Sequence, residues 1–436
     1  ANHLEITFAR PGTVELQLVS LFPRTFHDRP NGNRPDLMDM LAAMHPHFLR
    51  LPGGNYLEGD TIRERFNWKE TIGPLVDRPT HRSPWGYQST DGLGLLEYLE
   101  WCEDLKIEPV LAVYAGYSLK GEHVVGKDLG PYIQDALDEI EYVAGDVNTK
   151  WGALRARDGH PSPFPLHYIE IGNEDQFDKS HSYDERFSAF ASAIRAKYSQ
   201  YKLIATTAVN SGNPDLVDDH YYKSPDQFFD LVHHYDAMDR NGPKIFVGEW
   251  ATRTGSPTPD FGAALGDAAW MTSMERNSDL IVMASYAPLF TNVNPGGMQW
   301  STDLIGYDAL RAYGSPSYWA QALFASHLGD KTVRSAAQGV GPRFFWSATV
   351  SSADKVLHLK LVNASDKVQP LLLDVTDAGQ NTATMYTLHG STWWATNTID
   401  RPDAIRPQIS QLRPATRDWR HDVPGNTIEV IDIPLK

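Results

Sequence analysis

The stretch His167–Asp175, HYIEIGNED, decides the fold of this chain. Its apolar, β-rich run ends in Asn173 and Glu174, which places an amide and a carboxyl group at the end of a strand. A second stretch of this kind, Lys244–Trp250 with the sequence KIFVGEW, ends in Glu249. Strands that end in polar functional groups are typical of parallel barrels, whose functional loops lie above the carboxyl ends of the strands. Both stretches therefore predict strands of a parallel α/β sheet.

Short apolar runs alternate with helix-spaced apolar residues from Phe48 to about Ser326, which predicts βα units. The strand candidates are Phe48–Leu51, Pro109–Tyr114, His167–Ile171, Leu203–Thr207, Leu216–Tyr221, Ile245–Glu249 and Ile281–Tyr286. The helix candidates are Asp36–Met44, Leu93–Leu105, Leu129–Val143, Tyr183–Tyr198, Pro225–Met238, Ala263–Glu275 and Ser317–Ser326. The pattern predicts an α/β protein with a (β/α)8 TIM-type barrel in residues 23–329.

Seven strand candidates are one fewer than a closed barrel of eight needs. Leu16–Phe22 is a candidate for the eighth, but it closely follows Leu4–Phe8, with a turn at Pro11 and Gly12 between them. That pair is better interpreted as a β-hairpin of another domain, so we expect residues 1–22 to be the tail of an inserted or N-terminal β domain. Because an incomplete barrel leaves two unpaired edges, we expect a segment outside this chain to supply strand one.

After about Gly329 the helical pattern stops. The remaining strand candidates are Phe344–Val350, Val356–Val362, Leu371–Val375, Thr384–Leu388 and Ile428–Ile433. Short alternating strands separated by Ser, Asp and Gly predict an antiparallel β-sandwich in residues 330–436. Within it, Asn363 is a candidate for N-glycosylation, since it opens an Asn-x-Ser sequence.

The composition excludes several classes of protein. With 436 residues, 41% hydrophobic and 22% charged, the chain has the balance of a folded globular protein. No apolar run approaches the roughly 20 residues that cross a bilayer. The net charge of −16 disfavours nucleic acid or an anionic membrane as a partner. Cys102 is the only cysteine, which excludes an intrachain disulfide and a thiolate metal cluster.

Glu174 and Glu249 are 75 residues apart and fall on strands four and seven if one upstream strand is missing. Those strands lie nearly opposite one another in a barrel of eight, so both carboxyl groups can face one cavity. Glycoside cleavage needs such a pair, one to protonate the leaving oxygen and one to stabilise or trap the sugar cation. Asn173 is placed to bind a sugar hydroxyl. We expect a raised pKa for Glu174 and an ionised Glu249, and carboxyl groups about 5–5.5 Å apart, as in retaining enzymes.

The cluster Val217–Tyr222, VDDHYY, closes another predicted strand. His220 and Tyr222 alternate onto one face of that strand, and Tyr222 could donate a hydrogen bond to Glu249. The alternative is aromatic packing at the rim of the barrel. A metal site is disfavoured, because neighbouring strand residues point to opposite faces and no further His/Asp cluster completes it.

Other candidates for substrate contact lie in turns and loops. LRLPGGN, Leu49–Asn55, runs from a strand into a turn whose glycines supply positive φ, after which Asn55 can point into the cavity. Trp85, Gln299 and Trp300 lie in long polar loops, where exposed aromatic and amide groups often contact ligands.

Taken together, these stretches resemble glycoside hydrolase family 51, the α-L-arabinofuranosidases, in the longer form found in fungi, plants and some actinobacteria. The resemblance runs from about Val14 to Gly329. The matching stretches are SLFPRTF, NGNRPDLMDML, FLRLPGGNYLEG, FNWKETIGP, STDGLGLLEYLEWCEDL, YIEIGNED, DDHYY, IFVGEW, ERNSDLIVMASYAPLF and QWSTDLIGYD. The resemblance implies that Glu174 is the acid/base and Glu249 the nucleophile. It also implies a sugar-binding shell of Asn173, Tyr222, Asn55 and Gln299.

Two departures from the family pattern stand out. The family carries a sugar-binding glutamate on barrel strand one, followed in the long form by an inserted sandwich domain. This chain resembles the family from the tail of that insert, LEITFARPGTVELQLVSLFP, onward, so strand one is expected to be absent or to come from a separate fragment. The usual RFPGG or RWPGG turn is RLPGG here, at Arg50–Gly54.

The resemblance implies a retaining, exo-acting α-L-arabinofuranosidase that releases terminal arabinofuranose from arabinoxylan or arabinan, without metal or cofactor. It also implies secretion; Ala1–Arg10 lack the features of a signal peptide, which fits a processed protein or a cytoplasmic one. Two alternatives remain open: a β-1,4-glucan or xylan hydrolase on the same kind of barrel, and a non-catalytic carbohydrate-binding protein. The binding protein would give no reason for glutamates at the ends of both strands.

Overall fold

The computed structural model describes residues 5–16, 19, 22–379, 382–414 and 417–436. Seven parallel strands form one sheet in chain order, each paired with the next. They are β1 (Phe48–Leu51), β2 (Glu108–Val113), β3 (Tyr168–Ile171), β4 (Lys202–Ala205), β5 (Leu216–Lys223), β6 (Lys244–Thr252) and β7 (Ile281–Tyr286). All seven predicted strands are present with small differences at their ends, which confirms the α/β fold class as a nearly closed, seven-stranded barrel.

Helices follow the strands and cover the outside of the sheet. They are α1 (Pro35–Ala42), α2 (Leu95–Leu105), α3 (Gly130–Ala144), α4 (Lys150–Arg157), α5 (Tyr183–Lys197), α6 (Pro225–Leu231), α7 (Phe261–Arg276) and α8 (Pro316–Ser326). The sequence pattern did not predict α4, because this helix buries only Gly152 and Arg155 and so lacks an apolar stripe. The helix predicted over Pro225–Met238 ends at Leu231, and turns follow it.

The barrel sheet is open between β1 and β7. Among the described residues, β1 pairs only with β2, and β7 pairs only with β6. Four residues of the predicted strand Leu16–Phe22 lie outside the described residues. The other three, Leu16, Val19 and Phe22, are exposed and belong to no strand. The first residue of Leu4–Phe8 also lies outside the described part, and its other four residues are not in a strand. The described part of the N-terminal segment therefore does not close the barrel.

An antiparallel β-sandwich follows the barrel. Its strands are β8 (Phe344–Ser351), β9 (Val356–Asn363), β10 (Gln369–Leu373), β11 (Ala383–His389), β12 (Gln408–Leu412), β13 (Trp419–Val423) and β14 (Thr427–Pro434). The larger sheet has the order β8-β9-β14-β11-β12, with the short strand Lys331–Thr332 on its β8 edge, and β10 pairs with β13. The sequence pattern missed β12 and β13: β12 is almost wholly exposed, so it has no buried alternating residues to reveal it.

The sandwich is fixed to the barrel by packing and by one buried ion pair. The rings of Phe229 and Phe345 stack with their centroids 5.2 Å apart. Lys360 of β9 reaches Glu275 near the end of α7, and its side chain is fully buried there. The burial lowers the pKa of Lys360, against the opposing attraction of the Glu275 carboxylate.

The structure argues against glycosylation of Asn363. Its side chain is buried, and its amide nitrogen Nδ2 donates to the carbonyl oxygens of Lys367, Val423 and Pro424. Asn363 ends β9, so this amide ties the following turn to the neighbouring loop. A glycan on Nδ2 would replace these hydrogen bonds. In the part of the chain described here, none of the helices is both long and apolar enough to cross a bilayer.

Arg186 of α5 supports the loop after β3 and provides a test of the fold. Its guanidinium is fully buried and pairs with Asp175 and Asp178, each at 2.8 Å. Arg186→Met would leave two buried carboxyl groups without their cation, so we expect a loss of about 3–5 kcal/mol in urea unfolding. The control Arg311→Met removes a half-exposed ion pair with Asp308 and should leave the unfolding curve unchanged. Equal curves for both variants would contradict this prediction.

Candidate active site

The chain after β3 turns sharply and presents Glu174. Gly172 has φ +98°, and a Cβ there would overlap the Asp175 carboxylate. That carboxylate accepts a hydrogen bond from the backbone of Asn173 at 3.2 Å and one from Thr206 at 2.8 Å. Glu174 itself has the left-handed φ of 44°. The turn therefore holds Glu174 at the carboxyl end of the barrel in a conformation that an unconstrained side chain rarely adopts.

Glu249 is held by two donors, one from the neighbouring strand β5 and one from β1 across the barrel. Tyr222 Oη donates to Glu249 Oε2 at 2.7 Å, as the sequence suggested. Arg50 Nη1 donates to Glu249 Oε1 at 2.8 Å. The register of β5 and β6 shifts between Asp218 and His220, which brings His220 opposite Glu249. These contacts fix both oxygens of the Glu249 carboxyl group.

His220 lies between the two glutamates. Its Nδ1 is 3.0 Å from Glu174 Oε1 and 3.5 Å from Glu249 Oε2, and its Nε2 is 2.7 Å from Asp218 Oδ2. Suitable oxygens of Glu174 and Glu249 lie within 4.8 Å of each other and of His220. Three carboxyl groups therefore surround one imidazole ring.

The charges around His220 decide its protonation. Burial would lower the pKa of His220, but the charges of Asp218 and Glu249, with hydrogen bonds to Asp218 and Glu174, raise it well above its ordinary value. For Glu174 the balance is reversed. Burial would raise its pKa, and the hydrogen bond and charge of His220 outweigh burial and lower it. The expectation of a raised pKa for Glu174 is therefore wrong, because the histidine cation stabilises its ionised form.

Arg50 connects the floor of the site. Its Nε and Nη2 bind the Glu170 carboxylate at 2.6 and 3.0 Å, and Nη2 also donates to Asn173 Oδ1 at 2.8 Å. The sequence had not singled out Arg50 or Glu170. A single arginine in an apolar strand indicates a buried cation. The sequence does not show which residues pair with Arg50, because they are 120 or more residues away.

The glutamates open onto a cavity of about 890 Å³. The predicted residues that line it are Glu174, Glu249, Asn55, Tyr222, Trp85, Gln299 and Trp300. Asn173 and His220 are not among its lining residues, and Asn173 is fully buried with its amide bonded to protein groups. Phe177, which the sequence had not singled out, also lines the cavity and is exposed.

The turn after β1 borders the same cavity. Gly53 and Gly54 have φ of +81° and +59°, as the sequence suggested. A Cβ at Gly54 would lie 3.4 Å from Glu249 Oε1 and 3.9 Å from the Trp85 ring. Glycine therefore leaves room for a ligand beside this carboxylate. Asn55 follows and donates to Glu174 Oε2 at 3.3 Å.

Glu174, His220 and Glu249 are also close enough to one another to hold a metal ion. Metal binding needs a neutral imidazole with a free lone pair. Both ring nitrogens of His220 face carboxylates instead, and the raised pKa of His220 favours the doubly protonated ring. The donor set therefore fits an arrangement of ion pairs better than a metal centre.

Comparisons with known proteins identify the family of the chain. Residues 40–240 match the model of the alpha-L-arabinofuranosidase 1 domain, and residues 248–426 match that of the alpha-L-arabinofuranosidase C-terminal domain. Alpha-L-arabinofuranosidase A of Aspergillus kawachii is 38% identical over 437 residues, which cover 97% of this chain and 68% of that protein. The chain belongs to the α-L-arabinofuranosidases of glycoside hydrolase family 51.

Solved structures of this glycoside hydrolase family superpose on the barrel and the sandwich. The arabinose-bound MgGH51 α-L-arabinofuranosidase matches with a TM-score of 0.89 and 39% identity, over 95% of this chain and 69% of that one. The Thermotoga maritima α-L-arabinofuranosidase in complex with arabinose has a TM-score of 0.77 at 21% identity, over 95% and 92% of the two chains. At 21% identity, this second match shows that the two proteins share a fold.

The lowered pKa of Glu174 in this family 51 site can be tested without substrate. In His220→Gln the imidazolium is lost while burial remains, so the pKa of Glu174 should rise. The measurement is a ¹³C NMR titration of the glutamate carboxyl carbons, with Glu174→Gln used to assign the resonance. His234→Gln, at a histidine that contacts Tyr221 rather than Glu174, is the control. An unchanged Glu174 titration in His220→Gln would contradict the assignment of His220 as its stabilising cation.

Proposed function

We propose that this chain carries the catalytic site of a retaining, exo-acting α-L-arabinofuranosidase, with Glu174 as acid/base and Glu249 as nucleophile. Its substrates are arabinose-substituted plant polysaccharides or oligosaccharides, such as arabinoxylan and arabinan. The observation that carries the proposal is a pair of glutamates, one just after β3 and one on β6, with oxygens within 4.8 Å of each other in one cavity. Retaining glycosidases place their carboxyl groups about 5–5.5 Å apart, whereas inverting ones need about 6.5–9.5 Å.

In the first step Glu174 protonates the glycosidic oxygen, and Glu249 attacks the anomeric carbon as the bond to the leaving group breaks. Tyr222 and Arg50 each donate a hydrogen bond to one oxygen of Glu249 and so fix the orientation of its carboxyl group in the cavity. A bound sugar excludes water from Glu174, and this favours the protonated form that the step needs. His220 Nδ1, at 3.0 Å, is placed to share a proton with Glu174.

In the second step a water molecule replaces the leaving group. Glu174, now ionised, accepts a proton from this water, whose oxygen attacks the anomeric carbon and displaces Glu249. The lowered pKa of Glu174 suits this step. The charge of His220 stabilises the ionised Glu174 that is left after the first step and that acts as the base in the second. Two displacements at one carbon give arabinose with the anomeric configuration of the substrate.

The roles of the two glutamates predict different behaviour of their alanine variants. Glu249→Ala should abolish turnover, and Glu174→Ala should reduce it by about 10²- to 10⁴-fold on substrates with poor leaving groups. With an activated aryl arabinofuranoside, azide should rescue Glu174→Ala and give the α-azide, since it enters after the covalent step. Azide with Glu249→Ala should give the β-azide by a single displacement. The same product configuration from both variants, measured by NMR, would overturn the assignment.

An assay with aryl glycosides distinguishes the arabinofuranosidase from the two alternative functions. The proposed enzyme hydrolyses an α-L-arabinofuranoside, and a glucan or xylan hydrolase would instead cleave the corresponding β-linked pyranosides. A protein that only binds carbohydrate would turn over neither. We also propose secretion, because polymeric plant substrates lie outside cells.

We further propose that a segment outside these 436 residues supplies the eighth barrel strand. The cavity continues from the glutamates down the gap between β1 and β7, where it is lined by residues of both edges. Five residues that line it carry a buried polar side-chain atom with no hydrogen-bond partner among the described residues. These residues are Trp101, Tyr286, Thr291, Asp303 and Gln321. An eighth strand would pair both edges and reach these atoms, with residues 1–22 as the tail of its domain and residues 23–329 and 330–436 as barrel and sandwich.

The eighth strand can be tested by native mass spectrometry of the protein purified from its source without denaturant. The active particle should exceed the 48.8 kDa of this chain and, on denaturation, release either a separate fragment or one longer polypeptide. Hydrogen exchange of β1 and β7 should be as slow as that of the central strands. A fully active particle made of this chain alone, with fast exchange at both edges, would contradict the proposal.

A further inference from the structure

Glu58 is a buried glutamate behind the catalytic pair. It ends the single helical turn Asn55–Glu58 that follows the turn after β1, and only 2% of its surface is exposed. It does not line the cavity. A carboxyl group fully removed from water is costly unless it is neutral or well paired, so its presence so near two other glutamates needs a physical reason.

One oxygen of Glu58 holds two amides. Glu58 Oε2 accepts from Asn55 Nδ2 at 2.9 Å and from Asn173 Nδ2 at 2.7 Å. Because an amide presents a donor on one side and an acceptor on the other, these bonds decide which way each amide faces. With its nitrogen held by Glu58, Asn173 turns its oxygen toward Arg50 Nη2, at 2.8 Å.

The two amides lead to the two catalytic glutamates. Asn55 Nδ2 also reaches Glu174 Oε2 at 3.3 Å, so Glu58 is linked to Glu174 through one residue. Asn173 accepts from Arg50, whose Nη1 donates to Glu249 at 2.8 Å. The second path therefore runs from Glu58 through Asn173 and Arg50 to Glu249.

The surroundings of Glu58 disfavour its negative charge. Burial raises its pKa well above the ordinary value, against the two amide hydrogen bonds, and the charges of Asp175 and Glu174 raise it further. Its other oxygen, Oε1, has no hydrogen-bond partner among the residues that the structure describes, and in particular no cation pairs with it. A neutral acid satisfies both amides through Oε2 without adding an anion beside Glu174.

We propose that Glu58 is a positioning residue of the catalytic site, which through Oε2 orients Asn55 and Asn173 and through them both catalytic glutamates. Buried and with no cation beside it in the described part of the chain, Glu58 does this as a neutral carboxylic acid. This inference rests on the proposed hydrolase function. It predicts that glutamine, which keeps an acceptor oxygen and carries no charge, can replace Glu58. Alanine cannot, because both amides then lose their acceptor and are able to rotate.

The test compares E58Q, E58A and wild type on an aryl α-L-arabinofuranoside across pH. E58Q should keep kcat within about threefold of wild type and leave the alkaline limb of the pH profile in place. E58A should lower kcat by about 10- to 100-fold with a smaller change in KM. Losses of this size are typical when a residue that orients a functional side chain is removed. The matched control is E139A, which removes a glutamate of α3 that is 3% exposed and also has a raised pKa.

Each outcome has a separate meaning. The proposal is supported if E58A loses activity while E58Q and E139A keep the activity of the wild type. If E58Q moves the alkaline limb to lower pH, Glu58 is an anion in the wild type and the proposal is wrong. If E58A matches wild type, or if E58Q is as inactive as E58A, it is also wrong. An inactive wild-type enzyme would instead reject the proposed function. Comparing Tm of all variants identifies losses due to unfolding.

Discussion

The arrangement of the site depends on the buried guanidinium of Arg50. A buried cation is stable only when its donors are bonded and its charge is matched. Arg50 meets this need through partners from two other strands, β3 and β6. It binds Glu170 on β3, Asn173 just after β3 and Glu249 on β6. Its planar fork fixes the directions of these bonds, which a lysine could not reproduce. Arg50 thus links Glu249 across the barrel to Asn173, the residue before Glu174.

A second cation, His220, balances the remaining negative charge. Arg50 lies nearer the floor of the barrel and His220 between the glutamates, and Asp218 is close to both. Asp218 Oδ1 also accepts from the backbone of Gly248 at 2.7 Å, next to Glu249. The site therefore alternates anions and cations, and burial alone does not decide the protonation of any one group. The lowered pKa of Glu174 is a consequence of this alternation.

Much of the fold was predictable from the sequence, because β2, β3 and β4 are buried almost throughout and so form continuous apolar runs. That Glu174 and Glu249 face one cavity was predictable because each comes at the end of an apolar run in the sequence. Asn173 was expected to contact sugar and is instead buried behind Glu174, since its partners Arg50 and Glu58 lie more than 100 residues away in sequence. Spacing along the chain carries no information about such partners.

The pKa of Glu174 and the accessibility that glycosylation of Asn363 would need were not predictable from the sequence, for related reasons. His220, which lowers the pKa of Glu174, is 46 residues away, and only the bulge in β5 brings it opposite Glu249. Asn363 satisfies a sequence motif, yet its amide ties a strand end to loop carbonyls 60 residues away. In each case the local sequence pattern is present, but a contact with a residue distant in sequence determines the protonation or the accessibility of the side chain.

The central claim is that Glu249 forms a covalent bond to the sugar while Glu174 transfers protons. A 2-fluoro-arabinofuranoside with a strongly activated leaving group slows both steps and allows the intermediate to accumulate. Intact mass spectrometry followed by peptide mapping then locates the added sugar. The account predicts one fluoroarabinosyl group per chain on the peptide that carries Glu249. An adduct on Glu174, or turnover to an inverted product without any adduct, would contradict it.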